Sequence, residues 1–401
     1  MNLSKRYKAS NVYIIAFLFV LLVVSGNKAT TNKGVVIPFI EFNAAYLILA
    51  VIMLGMIYLL FKKNLSIRLD FICGLLFARI VLNVLPMLYM DVPPDYFGNF
   101  VEACFPLFLY LFFLNMDLDV KCATRIFLWF GVVVAFQCFL AYILIVANGY
   151  ATYMDLWYKD YFVIPLGATN LISGVLLPLL ILGDRLIERM YVRYAFVAAL
   201  AFAIVLCKSR TGLILLFAYL VLKLFLKRDG GYSKAKKIIW IVTPMLIPIA
   251  IIFLLSTSYG ETITSVMMGY ASSGKGFAAL FSGRFEIYKN IIEYTMQNNF
   301  LIGSGVSYIG LEYTSPHNVL LQFFYQNGII GCVGFIIFIL VVIKLIFRQR
   351  NKSIYFKAVW LILPFIFINA MVEDTIVSNF MILFGLYYVS AASQKKIFGG
   401  K

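Results

Sequence analysis

The stretch AYLILAVIMLGMIYLLFKK, residues 45–63, decides the fold class. It runs without a charge to Phe61 and then meets Lys62 and Lys63. As a helix rising about 1.5 Å per residue, an apolar run of this kind spans most of a hydrocarbon layer about 30 Å thick. The paired lysines mark where it reaches a head-group surface.

Outward from this stretch the pattern recurs. Apolar runs lie near 11–26, 41–61, 70–90, 99–115, 126–147, 167–183, 192–207, 211–226, 238–256, 328–347, 356–372 and 376–392. They predict an all-α polytopic membrane protein with about twelve transmembrane helices. The composition agrees: 63% hydrophobic, 17% aromatic and 13% charged, against roughly half apolar and a quarter charged in soluble domains.

Charge gives the orientation. With the N-terminus inside, most of the 34 basic residues fall on the cytoplasmic side, among them Lys62, Lys63, Lys227, Arg228, Lys236, Lys237, Arg348, Arg350 and Lys396. Both termini are then cytoplasmic, and 27–40, 91–98, 148–166, 208–210, 257–316 and 373–375 face outward. The net charge of +16 reads as a topology signal and an attraction to anionic membrane lipids. No basic-aromatic module points to nucleic acid. The first run follows Lys5, Arg6 and Lys8 as a signal peptide would, but no small-x-small cleavage site follows, so it reads as an uncleaved helix. The cysteines lie in or beside spans, which argues against disulfide staples, and no Cys/His spacing resembles a metal site.

Three units follow: a membrane frame over 1–256, a large outer loop over 257–316, and a short helix with the last spans over 317–401. The loop is too long for an idle connector. Within it RFEIYKNIIEYTMQNN (284–299) predicts an amphipathic helix at the membrane surface, with Phe285, Tyr288, Ile292 and Thr295 on one face. NNFLIGSGVSYIG (298–310) then brings Gly303, Gly305 and Gly310, which permit a closely approached backbone.

At the end of the loop stand Ser315, Pro316, His317 and Asn318, and His317 is the single histidine of the chain. Ser315 reads as a helix cap and Pro316 as the first helical position, which places His317 in the first turn. There the positive end of the helix dipole favours neutral imidazole, able to take a proton, and attracts anions. Asn327-Gly328 predicts a break, so that 317–326 forms a short tilted helix. Arg210 opens the eighth span with Ser209 as its cap, and Arg284 opens the surface helix after Ser282-Gly283. Guanidinium pairs with phosphate oxygens through two parallel bonds, so a diphosphate is a natural partner. The plainer readings are an interfacial anchor for Arg210 and a surface charge for Arg284.

Other polar residues keep two readings. Arg79, deep in a span, either pairs with Glu102 or holds a phosphate or sugar in a cavity. Thr169 and Asn170 either cap the sixth span or bind glycan. Tyr150, Tyr153, Trp157, Tyr158 and Tyr161 are either an interfacial belt or a sugar-stacking surface. Glu41 and Glu102 read as solvated ends, and Lys223 as a lysine reaching for the cytoplasmic surface.

The motifs SRTG (209–212), SGRFEIY (282–288), NNFLIGSGVSYIG and HNVLLQFFYQNGIIG (317–331), in this order, resemble the bacterial O-antigen ligase and polymerase membrane proteins. That resemblance implies a metal-independent glycosyltransferase without a cofactor, moving a glycan from an undecaprenyl diphosphate-linked donor to a glycan acceptor on the periplasmic face. It implies Arg210 and Arg284 as diphosphate ligands and His317 as general base. Asn318 would orient His317 or hold a sugar, and Ser209, Asn170 and Arg79 complete the candidate substrate-binding set. The likeness favours a polymerase of O-antigen, capsule or exopolysaccharide over a ligase acting on lipid A-core, with a chain-length regulator as a further partner. A lipid-linked sugar transporter is the rival class, but there is no internal repeat and few intramembrane acids are present.

Overall fold

The structure is a computed structural model that describes residues 8–25, 40–41, 44–63, 66–93, 96–153, 155, 158–225, 284–306, 316–372 and 378–394. The helices are α1 (Ala9–Val23), α2 (Ala44–Lys63), α3 (Phe71–Val84, continued by a 3-10 turn to Leu88), α4 (Tyr96–Asn115), α5 (Val120–Ala147) and α6 (Tyr158–Tyr161). After these come α7 (Thr169–Leu186), α8 (Met190–Leu206), α9 (Arg210–Phe225), α10 (Arg284–Asn298), α11 (Val319–Gln349), α12 (Ile354–Val372) and α13 (Asn379–Ser393). Strand pairing among the described residues is confined to Val24–Ser25 with Ile40–Glu41 and Val163–Ile164 with Gly167–Ala168.

Seven of the described helices are long and apolar enough to cross a membrane, and α1, α8 and α13 are shorter apolar helices. A helix stands over every expected span except 238–256, which lies outside the described residues. Large apolar side chains cover the outside of the bundle, with Phe61 81%, Trp129 70%, Leu54 66% and Phe19 62% exposed. A surface of this kind needs lipid around it.

Helix ends follow from local chemistry. Asp70 caps α3 by accepting from Cys73 N at 3.1 Å, and Asp119 caps α5 by accepting from Cys122 N at 3.0 Å. The Asp70 carboxylate also accepts from Tyr110 of α4 at 2.8 Å, which ties a cap to the neighbouring helix. α7 is the most buried span and packs on α5, α8, α9 and α12. Edge-to-face contacts among Phe113, Phe127, Phe384 and Tyr387 join α4, α5 and α13.

α11 is broken, as Asn327-Gly328 predicts. Gly328 has φ 61° and ψ −162° within a run that is otherwise helical. That region of backbone space is open in practice to glycine alone. A short helix, 319–327, therefore turns away from the long span that follows.

Candidate functional site

Asn318, rather than Ser315, caps α11. Its Oδ1 accepts from Leu320 N at 3.0 Å and Leu321 N at 3.2 Å. His317 consequently lies just before the cap with φ 50°, outside the first turn, and is half-buried. The correction has a simple cause: asparagine caps as well as serine and sits directly before the apolar run. Ser315 lies outside the described residues. His317 remains at the positive end of the short helix. Asn318 Nδ2 donates to Met371 O at 3.0 Å, so both ends of this amide hold α11 against the end of α12.

Arg210 reaches the same region from another side. Ser209 Oγ accepts from Gly212 N at 3.2 Å, the expected cap of α9, and donates to Asn170 Oδ1 at 2.9 Å. Asn170 therefore holds the start of α9. Neither Thr169 nor Asn170 caps α7, whose N-cap is Ala168 without a side-chain bond. A Cβ on Gly212 would meet Ser173 Cβ at 2.5 Å, so α9 and α7 need glycine there to touch. A small void lined by Ser173, Gly212 and Asn369 adjoins α12 two residues before Met371. The starts of α9 and α11 thus both stand at the same end of α12. The Arg210 side chain is exposed.

Lys208 completes the Arg210 turn, and the sequence alone gave no sign of its role. Its Nζ donates to Tyr153 O at 2.9 Å and Asp155 O at 3.0 Å, and stands 5.4 Å from the Tyr153 ring centre and 6.0 Å from that of Tyr158. Burial pulls its pKa below the ordinary lysine value, with the Asp155 carboxylate opposing. Part of the aromatic loop 148–166 is thereby a cage for a lysine.

The glycine motif has a geometric purpose. The break at Gly328 frees carbonyls and amides of α11, and 300–305 pairs with them. Ser304 N donates to Tyr325 O at 2.8 Å and Gly305 N to Gln326 O at 2.8 Å, while Ile329 N donates to Phe300 O at 2.9 Å. A side chain on Gly303 would collide with the Gln326 backbone, and one on Gly328 with the Leu301 carbonyl. α10 is joined through this ladder to the short helix that begins at Val319, and Tyr294 also packs on Tyr325 with ring centres 5.9 Å apart. Within α10, Thr295 is buried and Tyr288 half-buried, as the expected face has them, but Ile291 takes the inward position in place of Ile292, which is 43% exposed. Arg284 is the first residue of α10; its side chain lies outside the description, as do Ser282, Gly283 and Gly310.

Arg79 makes no ion pair with Glu102 among the described residues. Its guanidinium stacks on Phe323 of the short helix, 4.7 Å from the ring centre, and its Nε is buried without a hydrogen bond. Arg79 also lines a mainly apolar cavity of about 440 Å³ between α3, α11, α12 and α13. One turn further along α3, Asn83 accepts from Asn327 Nδ2 at 2.6 Å, and both are fully buried. Two rungs, Arg79 on Phe323 and Asn83 on Asn327, therefore fix the short helix to α3.

Fold and site together define an integral membrane protein of helical bundle type with a polar, cation-bearing cluster at one end. Residues 195–336 match the family model described as O-antigen ligase. Over this segment, about a third of its length, the chain is similar to the O-antigen ligase family. The matched segment contains Ser209, Arg210, Arg284, His317, Asn318 and the break in α11 at Gly328, while Arg79 and Asn170 precede it. No curated protein matches the chain.

Proposed function

We propose that the protein polymerises a surface polysaccharide on the periplasmic face of the inner membrane, transferring a glycan from an undecaprenyl diphosphate carrier to the next lipid-linked repeat unit. The observation that carries this reading is that the start of α9, which bears exposed Arg210, and the start of α11, which His317 precedes, both lie against one end of α12. Diphosphate is already a good leaving group. The protein has to position the acceptor hydroxyl, neutralise charge that develops on the departing oxygen, and take one proton. Arg210 and Arg284 would carry the charge, and His317 would take the proton. Asn318 would serve by holding His317 in place, since its amide is occupied by α11 and α12. Ser209 and Asn170 would act by setting the position of Arg210. The apolar cavity beside Arg79 suits the hydrocarbon chain of the carrier.

The description of the matching family favours a second reading, a ligase that delivers the glycan to lipid A-core. One experiment tests both. Surface polysaccharide is run on a gel from a deletion strain complemented with wild type or His317→Ala at matched membrane levels. Loss of polymerisation leaves core with a single repeat unit, and loss of ligation leaves bare core with carrier-linked polymer accumulating. A full wild-type ladder from His317→Ala would remove the general-base role.

A further inference from the structure

At the end of the bundle opposite the candidate site, α7, α8 and α9 close around one carboxylate. Asp184 is 5% exposed; its Oδ2 accepts from Tyr219 at 2.6 Å and its Oδ1 from Lys223 at 2.8 Å. Arg193 Nε stands 3.9 Å from the same Oδ1. Both oxygens are engaged, and Arg185, the next residue on α7, is turned to the Tyr219 hydroxyl rather than to the carboxylate. Its Nε and Nη2 are shielded from solvent and make no hydrogen bond. Buried guanidinium N–H groups ordinarily have acceptors, because stripping them of water without replacement is costly.

The local charge is positive. Arg185, Arg193 and Lys223 share one aspartate, and the exposed Glu188 and Arg189 in the connection between α7 and α8 cancel each other. Aromatic rings frame the cluster. Arg193 and Lys223 stand 5.2 and 5.8 Å from the ring centre of Tyr194, and Tyr194 and Tyr191 are 51% and 82% exposed. Excess cations at helix ends beside exposed tyrosines match the head-group level of a bilayer, where basic pockets between helices take lipid phosphates.

We propose that this cluster binds the phosphate of an anionic phospholipid, with the orphaned N–H groups of Arg185 as donors and the acyl chains lying along the exposed face of α8. Charge complementarity selects this occupant: a zwitterionic lipid brings a second cation to a site that already has too many. The proposal is independent of the reaction at the other end of the bundle.

The test uses the purified full-length chain, with co-retained lipid counted by native mass spectrometry after exposure to phosphatidylglycerol or phosphatidylcholine. Wild type should retain phosphatidylglycerol in preference. Arg185→Gln should retain about fivefold less, the effect of one basic contact near a membrane surface, whereas Arg125→Gln, an exposed cation at the same end on α5, should retain as much as wild type. Absence of a wild-type preference overturns the site without reliance on any variant. Equal retention by Arg185→Gln and wild type, an equal loss in Arg125→Gln, or full displacement by inorganic phosphate would each overturn it as well.

Discussion

Asn327 and Asn83 meet through a 2.6 Å hydrogen bond between side chains that have no exposed surface, one residue before the break in α11 and one turn above Arg79. The pair holds the short helix that starts beside His317 against α3. Asn327→Ala leaves the Asn83 amide buried without its partner, a loss of about 1–3 kcal/mol. Thermal unfolding in detergent should show it. Asn83→Ala combined with Asn327→Ala should cost less than the two single changes together, because the double variant strands neither amide.

Gly328→Ala should damage the site more than its size implies. A methyl group there meets the Leu301 carbonyl, and φ 61° with ψ −162° excludes other residues. The strain is of order 1–3 kcal/mol, and relief requires parting 300–305 from α11. We expect the protein to reach the membrane and the polysaccharide ladder to collapse. Gly74→Ala on α3 is the control, since a Cβ there meets nothing within 4 Å.

Much of this was legible in the sequence, for physical reasons that differ by residue. The spans could be read because apolar length is dictated by bilayer thickness. The break at Gly328 was readable because Asn-Gly disfavours a continuous helix. The cap of α11 was misplaced by three residues because Ser315 and Asn318 are chemically equivalent caps, and only the backbone at His317 separates them. Pairings such as Asn83 with Asn327, Arg79 with Phe323 and Lys208 with the 153–155 loop join segments remote in sequence, so no local pattern announces them. Lys223, expected to reach solvent, instead closes on Asp184. The family resemblance located the candidate residues, and the structure supplied the supports that hold them.

Asp184→Ala should destabilise the end of the bundle formed by α7, α8 and α9. Removing the carboxylate strands Lys223, Arg193 and the Tyr219 hydroxyl together. Breaking a buried pair from one side costs about 3–5 kcal/mol, and the lower end applies because the Lys223 side chain keeps 30% of its exposure. A melting curve of the purified protein should fall accordingly. Retained activity in the surviving folded fraction would fit the distance of this cluster from His317.

Arg210→Lys and Arg284→Lys distinguish a diphosphate ligand from a mere anchoring charge. Lysine preserves the charge and the interfacial position but loses the planar fork that meets two phosphate oxygens at once. For Arg210 the local frame should survive, since Ser209 to Asn170, Ser209 to Gly212 and Lys208 to Tyr153 do not involve its side chain. A lost bidentate contact to phosphate is worth about 1.5–3 kcal/mol as a charged hydrogen bond, roughly a ten- to hundredfold drop in transfer rate. Single-turnover transfer from a purified carrier-linked donor measures this directly. If both lysine variants transfer at the wild-type rate, the arginines are positioned for the membrane surface and the donor diphosphate is held elsewhere, with Arg79 in its cavity the next residue to test.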